Sequence, residues 1–238
     1  MTKFNACLLL RTFTIAAIFL GLISCGNHTA AEKNQSISKT EVDLSEDVND
    51  DDDAQAVVAL LVSPENPCPG QVFRVMVTGS KSILKAKIKV SSPSGEIDAE
   101  KSRSGDGLPF WRIDEFKAGA EGIYSVMLTG DNATGNIDFS VTEKSSQSSS
   151  NSVWKTTQGW DGKMEALYSA WVNALFFDAD ERSSWTALHE VTQNQELNFL
   201  HDHLSLGEDD SSGKIRVQME PDCADNPYYL RAYFAWKL

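Results

Sequence analysis

Cysteine is scarce in this chain of 238 residues, which holds four of them, at positions 7, 25, 68 and 223. A small domain held together by disulfides needs a denser and more regular set, so a disulfide framework is excluded. Cys68 and Cys223 lie on either side of a predicted linker and are not expected to pair. The folded parts must therefore rely on packed hydrophobic cores.

Positive charge is also scarce, since 21 lysines and arginines stand against 34 aspartates and glutamates, for a formal net charge of −13. Such a surface repels phosphate, so nucleic acids and anionic lipid headgroups are poor partners, and we expect no nucleic-acid partner. The segment His189-Glu190-Val191-Thr192-Gln193 approaches a zinc-binding helix signature, but Gln193 stands where the second histidine ligand belongs. We therefore expect no metal site and no other cofactor.

A hydrophobic run long enough to cross a bilayer is missing from the N-terminus. The apolar residues 12–23 follow the basic residues Lys3 and Arg11. A run of about a dozen residues suits a signal peptide, here residues 1–24, but cannot span a bilayer core of about 30 Å.

This segment ends in Leu22-Ile23-Ser24-Cys25, which resembles the bacterial lipobox. The resemblance implies cleavage before Cys25, lipidation of that cysteine, and attachment to a membrane of the bacterial cell envelope through acyl chains. An ordinary secretory signal or an uncleaved anchor is the alternative.

Residues 25–55 contain no Phe, Trp or Tyr and end in a dense acidic block over residues 41–53. Because like charges repel and no apolar surface offsets chain entropy, this composition predicts a disordered acidic tether. A calcium site is disfavoured, because the block lacks the glycine and the distal glutamate of an EF-hand loop.

Residues 56–143 predict an all-β domain, because short apolar segments recur between turn residues. Strands are predicted over residues 56–62, 72–78, 84–90, 122–129 and 137–141. The pattern Gly122-x-Tyr124-x-Val126-x-Leu128 resembles the penultimate strand of immunoglobulin-like domains, in which the tyrosine forms a corner. This resemblance implies a disulfide-free immunoglobulin-like β-sandwich that serves as a spacer or a binding module.

Residues 144–153 are rich in serine, which predicts a flexible linker and a domain boundary. Residues 154–238 follow as a mainly helical second domain. Apolar side chains at helical spacing predict its first helix over residues 164–175, with Asp161 as the N-cap.

Two more helices and a strand are predicted before residue 220. One helix is expected over residues 185–191, capped by Ser183 or Ser184. The next is expected after the capping box Thr192-x-x-Gln195, and residues 214–219 form the strand. The inward-facing side chains of the third helix would be Leu197, Leu200 and Leu204.

The candidate for chemistry is Cys223, which stands at a turn ahead of an almost wholly apolar helix. Unsatisfied N–H groups and the positive end of the helix dipole favour a thiolate at such a position. Either Asp222 caps the helix, or Asn226 caps it with Pro227 as the first helical residue. We expect Cys223 to be a nucleophile, with its own N–H group and that of Ala224 as oxyanion donors.

The segment Asp222-Cys223-Ala224-Asp225 resembles the Asp-Cys-Ser/Ala-Gly motif of NlpC/P60 proteins, a branch of the papain-like cysteine peptidases. The resemblance implies an α+β cysteine-hydrolase-like domain whose thiol attacks amide bonds, often in cell-wall peptides. In that family the general-base histidine and the polar residue that orients it follow the cysteine. Because the chain stops within a helix at Leu238, we expect an incomplete domain that is inactive as it stands.

The histidines before the cysteine are the alternative bases, since sequence order does not determine spatial order in such sites. They are His189, His201 and His203, and ordinary structural roles are favoured for each of them. Cys223 could equally be a structural thiol packed beneath the helix. The rival function is then a non-enzymatic binding or scaffold lipoprotein, in which the sandwich contacts an envelope protein.

Overall fold

Two antiparallel sheets make up the first part of the described chain. The structure is a computed structural model that describes residues 57–143, 159–180, 182–213 and 215–238. The strands in this part are β1 (Ala59–Ser63), β2 (Val72–Gly79), β3 (Lys87–Ser92), β4 (Gly95–Ile97), β5 (Lys101–Gly105), β6 (Phe110–Lys117), β7 (Gly122–Thr129) and β8 (Gly135–Val141). One sheet has the order β1-β2-β6-β5 and the other the order β4-β3-β7-β8.

The inner faces of the two sheets enclose an aromatic core. Phe73 stacks on Phe116 with ring centroids 5.5 Å apart, and both are buried. The hydroxyl of Tyr124 accepts a hydrogen bond from the Gly119 N–H at 3.0 Å and donates one to the Ala120 carbonyl at 2.9 Å. These bonds form the predicted tyrosine corner, and the two sheets are compatible with an immunoglobulin-like β-sandwich.

Each strand predicted from the sequence has a counterpart, and β4, β5 and β6 are additional. The strand expected over residues 84–90 begins only at Lys87, because Lys81–Leu84 form a 3-10 turn. Strand β6 was not predicted, because its charged residues interrupt the alternation of apolar and polar side chains that marks a strand. Asp114 is buried there, where Arg112 donates to it at 2.7 and 2.9 Å and Ser102 at 2.5 Å. Bonding of this kind makes a buried carboxylate tolerable inside a sheet.

Strand β2 is buried on both faces, because the helical part of the chain covers the outer face of its sheet. Phe73, Val75 and Val77 face the sandwich core, while Met76 belongs to the other cluster. That second cluster also contains Trp111 of β6. In this cluster, Met76 and Trp111 pack with buried side chains of the helical part: Leu167, Ala170, Trp171, Leu175, Phe199, Leu200, Tyr233 and Phe234.

The described residues 57–143 and those from residue 159 onward therefore share a hydrophobic cluster within one compact unit, Ala54–Leu238. The sequence predicts them as two domains separated by a linker over residues 144–153. That linker, the signal peptide and the acidic tether lie outside the described residues.

Two arginines of the sandwich bind main-chain carbonyls of the helical part. The acceptors of Arg74 are the carbonyls of Asn198 at 2.7 Å, His201 at 3.2 Å and Gln195 at 3.3 Å, and those of Arg103 are Leu197 at 2.8 Å and Ala174 at 3.3 Å. Burial lowers the pKa of Arg74, and it lowers the pKa of Arg103 to about 10. Both guanidinium groups remain charged at neutral pH, and their charge-assisted hydrogen bonds to main-chain carbonyls join the sandwich to the helical part.

The helical part has three α-helices among its described residues: α1 (Gly162–Leu175), α2 (Leu188–Thr192) and α3 (Asn226–Lys237). Helix α1 starts as predicted, since the Asp161 carboxylate accepts the Met164 N–H at 2.9 Å. None of these helices is long and apolar enough to cross a bilayer.

Several predictions for residues 183–219 are wrong. Helix α2 begins at Leu188, so Ser183 and Ser184 do not cap it and Trp185 precedes it. The helix predicted after the Thr192-Gln195 segment does not form, and successive turns run through residues 194–206 instead, with positive φ at Asp202 and Ser205. The described residues 215–219 contain no strand.

Helix α3 is not the all-round buried helix that its composition suggests. Leu230, Tyr233, Phe234 and Lys237 are buried, while Tyr228 is 74% exposed. The helix begins at Asn226 with Asp225 in the N-cap position, so both predicted N-caps, Asp222 and Asn226, are wrong. Pro227 lies in the first turn. Proline is well tolerated there, because the N–H it lacks would have no partner in the helix.

Candidate functional site

Cys223 lies on the turn just before α3, and its thiol is free and exposed. The main chain of this turn is held by Asp222, whose carbonyl accepts the N–H of Asp225 at 3.2 Å and of Asn226 at 3.0 Å. Its carboxylate accepts the N–H of Ala224 at 2.8 Å and of Asp225 at 2.9 Å. The cysteine is therefore presented on a well-bonded turn.

This bonding affects the predicted oxyanion site. The Ala224 N–H, predicted as an oxyanion donor, is engaged by the Asp222 carboxylate. No bond between described residues engages the Cys223 N–H. Of the two predicted donors, Cys223 offers a free N–H, and Ala224 offers one only if the Asp222 carboxylate releases it.

A groove of about 280 Å³ opens beside Cys223. Its lining comes from the end of α1, from the segment leading into α2, and from the turn before α3. The lining residues are Phe176, Trp185, Thr186, Ala187, Leu188, Val191, Pro221, Asp222, Cys223 and Asn226. The thiol thus borders a largely apolar groove instead of being sealed in the core.

Hydrogen bonds at Met219 connect helix α2 to the segment that leads to Pro221 and Cys223. The Leu188 N–H donates to the Met219 carbonyl at 3.0 Å. The Met219 N–H lies 3.1 Å from Nδ1 of His189, which accepts that bond when its ring proton is on Nε2. His189 therefore fixes the position of the chain that leads to Pro221 and Cys223, and it is absent from the groove lining.

The other two candidate bases lie elsewhere. His203 is buried and its Nδ1 is 3.1 Å from the Ser63 hydroxyl on β1. Burial, together with the charges of Lys237 and Arg74, lowers the pKa of His203 to about 3. His201 is also buried, with Nδ1 3.4 Å from the Asp202 carboxylate. Among the described residues, no histidine lines the groove beside Cys223.

Lys237 anchors a buried ionic cluster that the sequence analysis does not predict. Its side chain is 0% exposed and bonds to the carboxylates of Glu208 and Asp209, which are equally buried. Burial alone would raise the pKa of Glu208, but the charge and hydrogen bond of Lys237 outweigh it and lower that pKa. The sequence shows these acids only as part of a polar loop, and no local signal pairs them with a lysine 28 or 29 positions later.

Tyr233 extends this cluster into the helical core. Its hydroxyl donates to Asp209 at 2.8 Å and accepts from the Asn198 amide at 2.9 Å. Burial and the negative charge of Asp209 raise the pKa of Tyr233 well above its usual value. The carboxylate oxygens of Asp202, Glu208 and Asp209 lie within 4.8 Å of one another, close enough for a cation to bridge. The ammonium group of Lys237 already supplies positive charge to two of them.

No protein family matches the chain, and no curated protein matches it. Among solved structures, it is similar to the Lin-41 filamin domain, with a TM-score of 0.29 and 10% sequence identity over 38% of this chain and 94% of that chain. None of these comparisons bears on the lipobox or on the NlpC/P60 resemblance.

Proposed function

We propose that this chain belongs to a cysteine-dependent amide or peptide hydrolase of the bacterial cell envelope, with Cys223 as the nucleophile. One observation carries the proposal: a free, exposed thiol borders a groove of about 280 Å³ at the start of a helix. A packed structural cysteine would be buried, as Cys68 is at 7% exposure. The Asp222-Cys223-Ala224 resemblance to NlpC/P60 peptidases supports the same reaction class.

In the proposed reaction, the thiolate of Cys223 attacks the carbonyl carbon of an amide held in the groove. The carbon–nitrogen bond breaks, the amine leaves after taking up a proton, and the acyl group remains as a thioester on the sulfur. Water then cleaves the thioester and restores the thiol. The Cys223 N–H, which no bond between described residues engages, would stabilise the oxyanion. The NlpC/P60 resemblance implies that a histidine base would follow the cysteine beyond residue 238.

Probe labelling tests the assignment of the nucleophile. The protein to be labelled is the full-length one, including the residues expected to follow Leu238. We expect Cys223→Ala to reduce its labelling by a peptidyl acyloxymethyl ketone to background, because this probe needs a nucleophile inside a binding groove. Cys68→Ala is the matched control and should label like the wild type, since that thiol is buried. Peptide mapping locates the adduct. Equal labelling of Cys223→Ala and the wild type would refute the assignment.

The second candidate function is non-enzymatic binding by an envelope lipoprotein. The Ala224 N–H favours it, because that group is already bonded to Asp222 and cannot serve an oxyanion as it stands. The same experiment separates the two functions. A binding protein would react with iodoacetamide at its exposed thiol but show no preference for the peptidyl probe.

The proposed location rests on lipidation at Cys25, which lies outside the described residues. When the whole chain is expressed in a bacterium, we expect a mature N-terminus at Cys25 that carries acyl chains and partitions with membranes. Cys25→Ala should abolish lipid incorporation and release the protein from the membrane fraction. A mature N-terminus at any other residue, or an unmodified Cys25, would contradict the lipoprotein assignment.

A further inference from the structure

We propose that the groove beside Cys223 accepts a peptide segment in which a large apolar side chain lies next to a basic group. This inference names the substrate class of the proposed hydrolase and so rests on that function. The shape and the charge of the groove point to different parts of the same ligand.

The apolar half of the ligand follows from the lining. Ala187, Leu188 and Val191 are at most 8% exposed and form a preformed apolar surface. Phe176 and Trp185 meet edge to face with ring centroids 5.4 Å apart, and Trp185 remains 45% exposed. An aromatic ring left open beside an aliphatic surface suits an apolar side chain.

The volume limits the size of that side chain. The groove measures about 280 Å³. Sites that enclose a whole drug-sized ligand span about 300–1,000 Å³. The groove therefore suits one side chain with its adjoining main chain, which would place a neighbouring amide against the thiol.

The basic half of the ligand follows from the charges. Asp222 is the one charged residue in the lining, and no lysine or arginine of the described chain lines the groove. Asp225 and Glu220 flank this turn and, like Asp222, form no ion pair with described residues. Outside the lining, Glu190 is bonded to Thr186, a lining residue, and those hydrogen bonds lower the pKa of Glu190.

The described lysine or arginine nearest in sequence to Thr186 and Glu190 does not offset these charges. Arg182 is paired with Asp180 at 3.0 Å. The chain as a whole also carries a net charge of −13. The field of this charge attracts cationic ligands and disfavours anionic ones. In the groove, the Asp222 carboxylate adds to this attraction beside the thiol.

Binding to the full-length Cys223→Ser variant tests this inference without any turnover. The probes are three blocked dipeptides, acetyl-Phe-Lys-amide, acetyl-Phe-Glu-amide and acetyl-Gly-Lys-amide, titrated by calorimetry at low ionic strength. We expect Phe-Lys to bind about tenfold more tightly than Phe-Glu, the ratio that about 1.4 kcal/mol of charge attraction provides. Gly-Lys should bind more weakly than Phe-Lys, because it leaves the apolar surface uncovered.

The substitution Asp222→Asn removes the charge of the lining but keeps the side-chain oxygen that accepts the Ala224 N–H. It should reduce the preference for Phe-Lys over Phe-Glu several-fold. Asp138→Asn is the matched control, because it makes the same change in net charge at an exposed position on β8. It should leave the preference unchanged.

Equal affinity for the Lys and Glu peptides would overturn the inference, as would a preference that Asp222→Asn does not alter. A preference for Gly-Lys over Phe-Lys would overturn it too. Its failure is distinguishable from failure of the hydrolase proposal. Selective binding without probe labelling at Cys223 refutes the hydrolase and leaves the ligand class standing, while labelling without charge preference does the reverse.

Discussion

Replacing Lys237 with Met is expected to lower the free energy of unfolding by about 3–5 kcal/mol, the usual cost of removing one partner from a buried ion pair. The ammonium group is fully buried and bonds to the carboxylates of Glu208 and Asp209. Methionine fills a similar volume but leaves both carboxylates without a counter-charge. Urea unfolding followed by circular dichroism measures the change.

The matched control for this prediction is Lys163→Met, the same substitution at an exposed position of α1. It should change the free energy of unfolding by no more than about 0.5 kcal/mol. Neutralising the acids as well, in Lys237→Met/Glu208→Gln/Asp209→Asn, should restore part of the lost stability, because no unpaired charge then remains buried. If Lys237→Met unfolds like the wild type, the buried cluster is not a structural element of this protein.

The second large effect concerns acid, and it arises from His203. Burial, followed by the charges of Lys237 and Arg74, lowers its pKa from 6.5 to about 3 in the folded protein. Below pH 6.5 the unfolded chain takes up a proton at this histidine and the folded protein does not. The stability is therefore complete above pH 6.5 and is lost as the pH falls, by about 1.4 kcal/mol per pH unit.

Between pH 6.5 and pH 5 the loss should reach about 2 kcal/mol, and most carboxylates stay ionised over that window. Urea unfolding at several pH values measures the slope. His203→Gln keeps a polar side chain that can reach the Ser63 hydroxyl but cannot titrate, so its stability should vary much less over the window. A wild-type slope that His203→Gln does not reduce would mean that another group controls the acid response.

These two effects come from the same region, where the helical part meets the sandwich. Arg74 extends from β2 to three main-chain carbonyls of residues 195–201, and His203 contacts Ser63 of β1. The turns over residues 194–206 are thus held by sandwich side chains instead of by a helix of their own. The sandwich therefore fixes the conformation of these turns in the helical part.

Local patterns were enough to predict five of the eight sandwich strands, the Tyr124 corner and the start of α1. They predicted a helix across residues 197–204 because the leucines there fall at helical spacing, yet Asn194 accepts the N–H groups of Glu196 and Leu197 and begins a turn. Such a choice depends on distant partners. Here the Arg74 guanidinium of β2 donates to the main-chain carbonyls of Gln195, Asn198 and His201, and no local pattern shows that contact.

The hydrophobic cluster shared by the sandwich and the helical part could not be predicted from the sequence for a related reason. Met76 and Trp111 look like ordinary strand residues, and nothing local shows that they face a helical layer instead of solvent. At the candidate site, the turn that presents Cys223 could be predicted from Asp222, Asn226 and Pro227. The bond between Asp222 and the Ala224 N–H could not, because several side-chain orientations satisfy the same sequence.

The intact mass of the full-length protein after treatment with the peptidyl acyloxymethyl ketone tests the role of Cys223 most directly. We predict the gain of one probe group per molecule, mapped to the Cys223 peptide, at a rate well above that of a non-peptidyl ketone with the same reactive group. Equal rates for the two reagents, or an adduct at any other residue, would contradict a nucleophilic thiol in a substrate groove.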